Sequence, residues 1–132
     1  MKVLIVDDEP SAQILIRDIL SPYGECDIAV DGEEAIQAYK LALEEKEPYD
    51  LICMDIMMPK IDGQTAVKEI VKIEKEKGIK GNQRVKILML TALDSQKHVM
   101  EAFLMGGVKG YIVKPIKAEK LLSEIRKLGL IS

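Results

Sequence analysis

The chain opens with the stretch Val3-Leu4-Ile5-Val6-Asp7-Asp8, and a stretch of the same kind, Leu51-Ile52-Cys53-Met54-Asp55, lies further along. Both are unbroken apolar runs that end in acid. Apolar runs of this length are typical of strands in a parallel sheet that is buried on both faces. An acid at the carboxyl end of such a strand faces the crevice in which open α/β sheets bind ligands. The two stretches therefore predict two parallel strands with three carboxylates at one edge of the sheet.

Three carboxylates at one edge repel one another unless a cation lies between them. At an effective dielectric constant near 20, a single pair about 4 Å apart costs roughly 4 kcal/mol. Mg²⁺ is a hard cation that binds oxygen ligands, and it is the natural counter-charge. Alternatively, each acid caps the helix that follows its strand, but that explains one Asp per strand and not a pair with a third in register. We therefore predict a Mg²⁺ site at Asp7, Asp8 and Asp55.

The length and charge of the chain limit the classes of protein it can be. Its 132 residues predict one domain. A formal net charge of −3 argues against a nucleic-acid-binding surface. The basic residues are densest from Lys72 to Lys86, where Glu74 and Glu76 interrupt them, so we interpret this stretch as a solvated helix end and loop.

Targeting signals and cysteine chemistry also have little support in the sequence. No apolar stretch approaches the roughly 18 residues of a membrane-spanning helix, and Met1-Lys2 leads directly into the first predicted strand without a signal peptide. Cys26 and Cys53 have neither metal-binding nor redox spacing. We expect both thiols to be reduced and the protein to be cytoplasmic, with no membrane partner.

Helix and strand patterns alternate along the chain. Strands are predicted at 3–6, 26–30, 50–54, 85–90 and 110–113, and apolar residues at helical spacing follow each of them, including a fourth helix from about Ser95 to Met105. Five β-α units with right-handed crossovers predict an α/β fold of the flavodoxin-like kind. This is a doubly wound, five-stranded parallel sheet of order 2-1-3-4-5 with helices on both faces, here one domain over residues 1–132.

The same topology brings further polar residues to the acidic edge. The switch point of this fold lies between strands one and three, which carry the acids, and strands four and five end at Thr91-Ala92 and Lys114-Pro115. This set of groups can receive a phosphoryl group. Asp55 would be the nucleophile that forms an acyl phosphate, Mg²⁺ would offset the developing charge, and Lys114 and Thr91 would bind other phosphoryl oxygens.

These motifs resemble the receiver domain of two-component response regulators. The resemblance covers essentially the whole chain, in the order and spacing of the family. It rests on four groups of residues: Val6-Asp7-Asp8-Glu9, the run from Met54 to Pro59 with Asp62-Gly63, Thr91-Ala92, and Lys114-Pro115.

The resemblance implies a role for each matching residue. Asp55 would be the phospho-acceptor, Asp8 a direct Mg²⁺ ligand, and Asp7 a neighbour of the metal that usually binds it through water. The remaining implied roles are a Mg²⁺-binding backbone carbonyl at Met57, phosphoryl binding by Thr91 with the adjacent Ala92 and by Lys114, and an aromatic switch at Tyr111. The family also implies a cis peptide bond between Lys114 and Pro115.

The resemblance also implies the kinds of partner. A histidine kinase or a histidine phosphotransfer protein would phosphorylate Asp55, and phosphorylation would switch a face formed by the fourth predicted helix, the fifth strand and the last helix. Expected surface contributors on that face are Met105, Val108, Lys109 and Lys117. The sequence allows either a stand-alone regulator or a receiver cut from a larger protein.

Three other functions are compatible with parts of the pattern. An Mg²⁺-dependent aspartyl-nucleophile phosphatase places its two acids two residues apart and usually carries a cap, whereas Asp7 and Asp8 are adjacent and 132 residues leave no room for a cap. A flavin carrier of this fold would need a phosphate loop rich in glycine and hydroxyls where this chain has Asp7-Asp8-Glu9-Pro10. A docking module that is never phosphorylated would not need the full set of site residues. We therefore predict a signalling module and not an enzyme.

The lifetime of the acyl phosphate depends on access of water. The residues that flank the line of attack in receivers are here Met57 and Leu93, both apolar. An apolar screen lowers the occupancy of water beside the phosphoryl group. We therefore predict slow self-dephosphorylation.

Overall fold

The strands and helices follow the predicted alternation. The structure is a computed structural model that describes residues 1–58, 60–92, 100, 103–104 and 107–132. In those ranges it contains β1 (Lys2–Val6), α1 (Pro10–Leu20), β2 (Glu25–Ala29), α2 (Gly32–Glu44), β3 (Leu51–Asp55), α3 (Gly63–Glu76), β4 (Lys86–Thr91), β5 (Val108–Val113) and α4 (Ala118–Lys127). Two short 3₁₀ helices cover Ser21–Tyr23 and Gly81–Gln83. Most of the helix predicted from about Ser95 to Met105 lies outside the described residues.

All five strands run parallel in one sheet of order β2-β1-β3-β4-β5. This confirms the flavodoxin-like fold and its switch point between β1 and β3. The register aligns the carboxyl ends of the central strands, since Val6 pairs with Met54, and Asp55 pairs with Leu90. Thr91 in turn pairs with Val113, the residue before Lys114. The candidate site residues are therefore delivered to one edge by strand pairing.

All five strands differ from the prediction by one or two residues, as β1 begins at Lys2 and β3 covers Leu51–Asp55. β2 ends at Ala29 and not at Val30, because Asp31 caps α2 by accepting the Glu34 N–H at 2.8 Å. β4 begins at Lys86 because the N–H of Val85 donates to a side chain instead of continuing the strand. β5 begins two residues earlier than predicted, at Val108, with an irregularity in its register opposite Ile87/Leu88.

The core consists of two apolar layers, one on each face of the sheet. Leu4 and Val6 of β1 pack into the layer covered by α2 and α3. Val3 and Ile5 pack into the layer covered by α1 and α4. All four side chains are fully buried. This explains why the run is apolar at every position and does not alternate with polar residues.

A close approach of α3 to β3 fixes the loop that follows Asp55. Asp62 caps α3 by accepting the Thr65 N–H at 2.8 Å. A Cβ atom at Gly63 would collide with the backbone carbonyl oxygen of Asp55. Glycine at position 63 therefore lets α3 begin directly against the end of the strand that carries the candidate phospho-acceptor.

Both cysteines are free thiols. Cys26 pairs with Val3 and Cys53 pairs with Ile5, so the two lie on opposite sides of β1. Among the described residues, no helix combines the length and the apolar character that crossing a membrane requires.

Candidate functional site

The three predicted carboxylates meet at the carboxyl edge of the sheet. Asp7 and Asp8 directly follow β1, and Asp55 is the last residue of β3. One oxygen from each lies within 4.8 Å of the other two. Asp7 is fully buried and Asp55 is 5% exposed, whereas Asp8 is open to solvent. Two acids are thus withdrawn from water, and the third remains accessible.

Lys114 provides the positive charge for this cluster. Its Nζ lies 2.8 Å from Asp7 Oδ2, 3.5 Å from Asp55 Oδ2 and 3.6 Å from Glu9 Oε1. The Lys114 N–H donates to the Thr91 carbonyl oxygen at 2.8 Å, which continues the pairing of β4 and β5 past the end of the sheet. The Lys114–Pro115 peptide bond is cis, as predicted. The ammonium group is therefore held over the acids by the backbone of two adjacent strands.

The surroundings of Asp55 and Lys114 shift the pKa values of both groups. Burial raises the pKa of Asp55 to about 6, and the nearby charge of Asp7 adds to the increase. Lys114 and the Met57 N–H, which donates to Asp55 Oδ1 at 3.3 Å, lower that pKa in part. Burial alone would lower the pKa of Lys114, but its contacts with the acids raise it above its ordinary value. A cationic Lys114 therefore faces a carboxylate whose charge is only partly compensated.

The donors at this edge fit a hard divalent cation. Asp7 Oδ2 is buried, and the Lys114 ammonium lies 2.8 Å from it as an ion-pair partner. The cluster offers three carboxylate oxygens and no nitrogen or sulfur ligand, which suits Mg²⁺. The carbonyl of Met57, in the loop after β3, remains the predicted fourth protein ligand.

Thr91 and Ala92 lie at the same edge but are engaged with each other. The Thr91 side chain is buried at the end of β4, and its Oγ1 donates to the Ala92 carbonyl oxygen at 2.9 Å. The predicted role of Thr91 in phosphoryl binding would require this hydroxyl to turn away from Ala92. The Thr91 hydroxyl therefore lies at the site but is already hydrogen-bonded to the carbonyl of its neighbour.

Tyr111 lies on β5 and is 41% exposed. It makes an edge-to-face contact with Phe103, with ring centroids 6.5 Å apart and planes at 88°. On the face predicted to carry the signal, Lys109 and Lys117 are exposed, but Val108 is 5% exposed and belongs to the core. The prediction of Val108 as a surface residue was wrong because β5 begins earlier than expected and turns this side chain inward. Met105, Leu93 and the sole histidine, His98, lie outside the described residues.

Two polar neighbours of the site were not predicted. Glu9, whose carboxylate contacts Lys114, also donates its N–H to Asp7 Oδ1 at 2.9 Å. Gln13 Nε2, one turn into α1, donates to the Asp7 carbonyl oxygen at 2.6 Å. The position of Glu9 directly after the acid pair was the available signal for its role. No sequence signal marked the role of Gln13, because its contact depends on the angle at which α1 leaves the sheet.

Comparisons with known proteins agree with this geometry. The family model for the response regulator receiver domain matches residues 3–126. The chemotaxis protein CheY of Bacillus subtilis (strain 168) is 38% identical over 128 residues, which cover 96% of this chain and 95% of that protein.

Solved structures show the same likeness. The CheX–CheY–BeF3–Mg complex from Borrelia burgdorferi contains a chain that aligns with a TM-score of 0.83 and 30% identity, over 98% of this chain and 89% of that one. The receiver domain of a sensor histidine kinase from Pseudomonas aeruginosa PAO1, which has a magnesium ion coordinated in its active-site cleft, aligns with a TM-score of 0.72 and 29% identity, over 96% of this chain and 94% of that one.

Proposed function

This chain belongs to the response regulator receiver domain family, and on that basis we propose that it accepts a phosphoryl group on Asp55 in a two-component or phosphorelay system. The observation that carries the proposal is the meeting of three carboxylates within 4.8 Å of one another, with the Lys114 ammonium 3.5 Å from Asp55. We assign residues 1–132 to a single receiver domain that works as a signalling module and not as an enzyme.

The proposed reaction is a phosphoryl transfer. An oxygen of the ionised Asp55 carboxylate attacks the phosphorus of a phosphohistidine on a histidine kinase or phosphotransfer protein. The P–N bond breaks, the imidazole leaves with its electron pair, and an acyl phosphate forms on Asp55. The end of β3 holds this carboxylate at the edge of the sheet, and the Met57 N–H orients one of its oxygens.

The remaining site residues bind and neutralise the transferred group. Asp7, Asp8, Asp55 and the Met57 carbonyl would hold Mg²⁺, which supplies positive charge for the phosphoryl oxygens when bound. Lys114 would exchange part of its contact with Asp55 for a second oxygen, since its ammonium already lies within 4 Å of that carboxylate. The Thr91 hydroxyl and the Ala92 N–H would bind the third oxygen.

The output surface would be the side of the molecule formed by β5, α4 and the segment predicted as the fourth helix. Tyr111 is the proposed switch, because it is exposed and packs against Phe103 on this side. Lys109 and Lys117 offer exposed cations to a target protein. The Borrelia CheY structure, which is a complex with CheX, supports a protein as a partner of this domain. We propose a cytoplasmic setting, with neither nucleic acid nor membrane bound through this domain.

The test is phosphorylation by acetyl phosphate with Mg²⁺, followed by intact-mass measurement. We expect one phosphate adduct on the parent protein, none after removal of Mg²⁺ with a chelator, and none on Asp55→Asn. Asp18→Asn is the matched control, since Asp18 is exposed near the far end of α1 and should leave the yield unchanged. An adduct of equal yield on Asp55→Asn would refute the assignment. Multiple turnovers of phosphate release from a phosphomonoester would instead favour the phosphatase alternative.

A further inference from the structure

A cavity of about 300 Å³ opens at the amino ends of β4 and β5. It lies at the edge of the sheet opposite to Asp55, because β4 starts here at Lys86 and ends at Thr91. Six residues of strand separate the two edges by roughly 17 Å. The lining includes Gly81, Asn82, Arg84, Lys86, Gly107 and Lys109. This cavity is therefore a separate feature from the acid cluster.

The cavity is strongly cationic in a chain of negative net charge. The sequence has 22 acidic and 19 basic residues, yet three of the described lining residues are basic and none is acidic. Lys86 and Lys109 form no ion pair with any residue that the structure describes. Like charges brought together without a counter-ion repel one another. The cavity therefore favours an anion.

Arg84 is held in the cavity wall by a buried acid. Its Nε donates to Glu74 Oε1 at 3.2 Å, and Glu74 Oε2 accepts the Tyr39 hydroxyl and the Val85 N–H, each at 2.8 Å. Glu74 is 1% exposed, so it compensates one positive charge and fixes the guanidinium. The three cations of the cavity thus carry about two uncompensated charges.

One nitrogen of Arg84 lacks a partner. Nη2 is buried and donates to no acceptor in the described ranges, which is unfavourable for a charged donor. Gly107 lies against it, and a Cβ atom there would be only 3.3 Å from Nη2. Glycine at this position, with φ +83, therefore places backbone and no side chain against the guanidinium.

We propose that this cavity binds a dianionic phosphate group, either free phosphate or the phosphate of a small monoester. Arginine and lysine are the side chains that bind phosphate oxygens, arginine through its planar fork and lysine as a point charge. The two uncompensated positive charges match the two negative charges of the group. A neighbouring cavity of about 390 Å³ shares Asn82, Arg84 and Lys86, and its wall includes Leu43, Leu130 and Asp50, whose carboxylate accepts the Lys2 N–H at 2.8 Å. That cavity offers space for the apolar body of a monoester.

The test is a titration of the ¹⁵N-labelled full chain followed by NMR, with divalent ions removed and ionic strength held constant with NaCl. One arm uses inorganic phosphate and the other phenyl phosphate. We expect saturable shifts at the Gly81 and Gly107 amides, and the same shifts in Asp55→Asn, because the phospho-acceptor takes no part. The double variant Lys86→Gln/Lys109→Gln should bind at least tenfold more weakly.

The matched control is Lys72→Gln/Lys75→Gln, which makes the same change in charge at two exposed positions of α3. It should bind as the parent does. Tighter binding of phenyl phosphate than of phosphate would identify a monoester as the ligand, and equal binding would identify the phosphate group alone. The proposal is overturned if neither probe gives saturable shifts at Gly81 and Gly107, or if both double variants weaken binding equally.

Discussion

At the scale of single residues, the charge balance around Asp55 determines how the site behaves. Asp7 and burial disfavour its negative charge, whereas Lys114 and the Met57 N–H favour it, and the pKa of about 6 is the net result. An acid with a raised pKa in the folded state binds protons more strongly than in the unfolded state. The contribution of Asp55 to stability is therefore fully present below the unfolded pKa of 3.8, is lost as the pH rises through about 6, and is absent above it.

This balance predicts a pH-dependent effect of Asp55→Asn. In the absence of Mg²⁺ at pH 7, the variant should be more stable than the parent by about 1–3 kcal/mol, because a neutral side chain avoids the charge penalty. The difference should shrink as the pH falls from 6 towards 4. Urea denaturation across this pH range measures it. A variant that is less stable than the parent at pH 7 would show that the contact with Lys114 outweighs burial and Asp7.

A second prediction concerns the lifetime of the phosphorylated state, and it rests on the exposed side chain of Met57. It is 62% exposed beside Asp55 and has no group that can orient a water molecule. Met57→Asn should accelerate loss of phosphate from Asp55, and a tenfold change corresponds to about 1.4 kcal/mol in the barrier. Met57→Leu keeps the apolar screen and should decay as the parent does. The measurement is the time course of the phosphate adduct by intact mass, and equal rates in all three proteins would contradict the screening role.

At the scale of elements, the start of β4 depends on a side chain from α3. Glu74 accepts hydrogen bonds from Tyr39 of α2, from Arg84 and from the backbone of Val85. The buried Glu74 carboxylate therefore links α3, which carries it, to α2 and to Val85, the residue directly before β4. Burial, together with the hydrogen bond that its hydroxyl donates to Glu74, raises the pKa of Tyr39 well above its usual range.

We predict that Glu74→Gln destabilises the protein by about 1–3 kcal/mol, since the amide cannot accept all three hydrogen bonds and leaves Arg84 uncompensated. Glu76→Gln, two residues along the same helix and exposed, should stay within about 0.5 kcal/mol of the parent. Urea denaturation of both variants measures the difference. Equal stabilities of the two variants would show that water satisfies the hydrogen-bonding groups that Glu74 otherwise binds.

The elements also indicate what sequence patterns can and cannot predict. The alternation of five strand and helix patterns predicted the order of the strands, and the runs ending at Asp7 and Asp55 predicted the meeting of the acids, because parallel pairing aligns strand ends. Glu74 was interpreted as part of a solvated segment, since its position in the sequence does not reveal that Tyr39 lies opposite. The early start of β5 escaped prediction for a similar reason, because Val108 gains its place in the strand only by pairing with Ile87.

At the scale of the whole molecule, the central strands are isolated from solvent on both faces. Cys53 of β3 is fully buried, and burial raises the pKa of its thiol to about 12. Cys26, on the edge strand β2, is partly exposed, and burial raises its thiol pKa as well. The two thiols therefore lie at different depths in the same fold.

We predict that iodoacetamide at pH 8 modifies Cys26 of the native protein much faster than Cys53. Because Cys53 is reached only when the sheet opens, its labelling should follow the free energy of global unfolding, and a destabilising change such as Glu74→Gln should accelerate it. Labelling at Cys26 should change less. Peptide mapping by mass spectrometry distinguishes the two thiols, and comparable native labelling of both would refute the prediction.

The contacts of Lys114 with Asp7, Asp55 and Glu9 have a consequence for how the protein is assembled. Sites whose charges are balanced only by metal leave the chain unfolded until the metal arrives, as in small zinc domains. Here Lys114, the residue directly after the last strand, supplies a positive charge to the acids. We therefore expect the newly made chain to complete its sheet before it takes up the proposed Mg²⁺, so that folding would not depend on the metal supply.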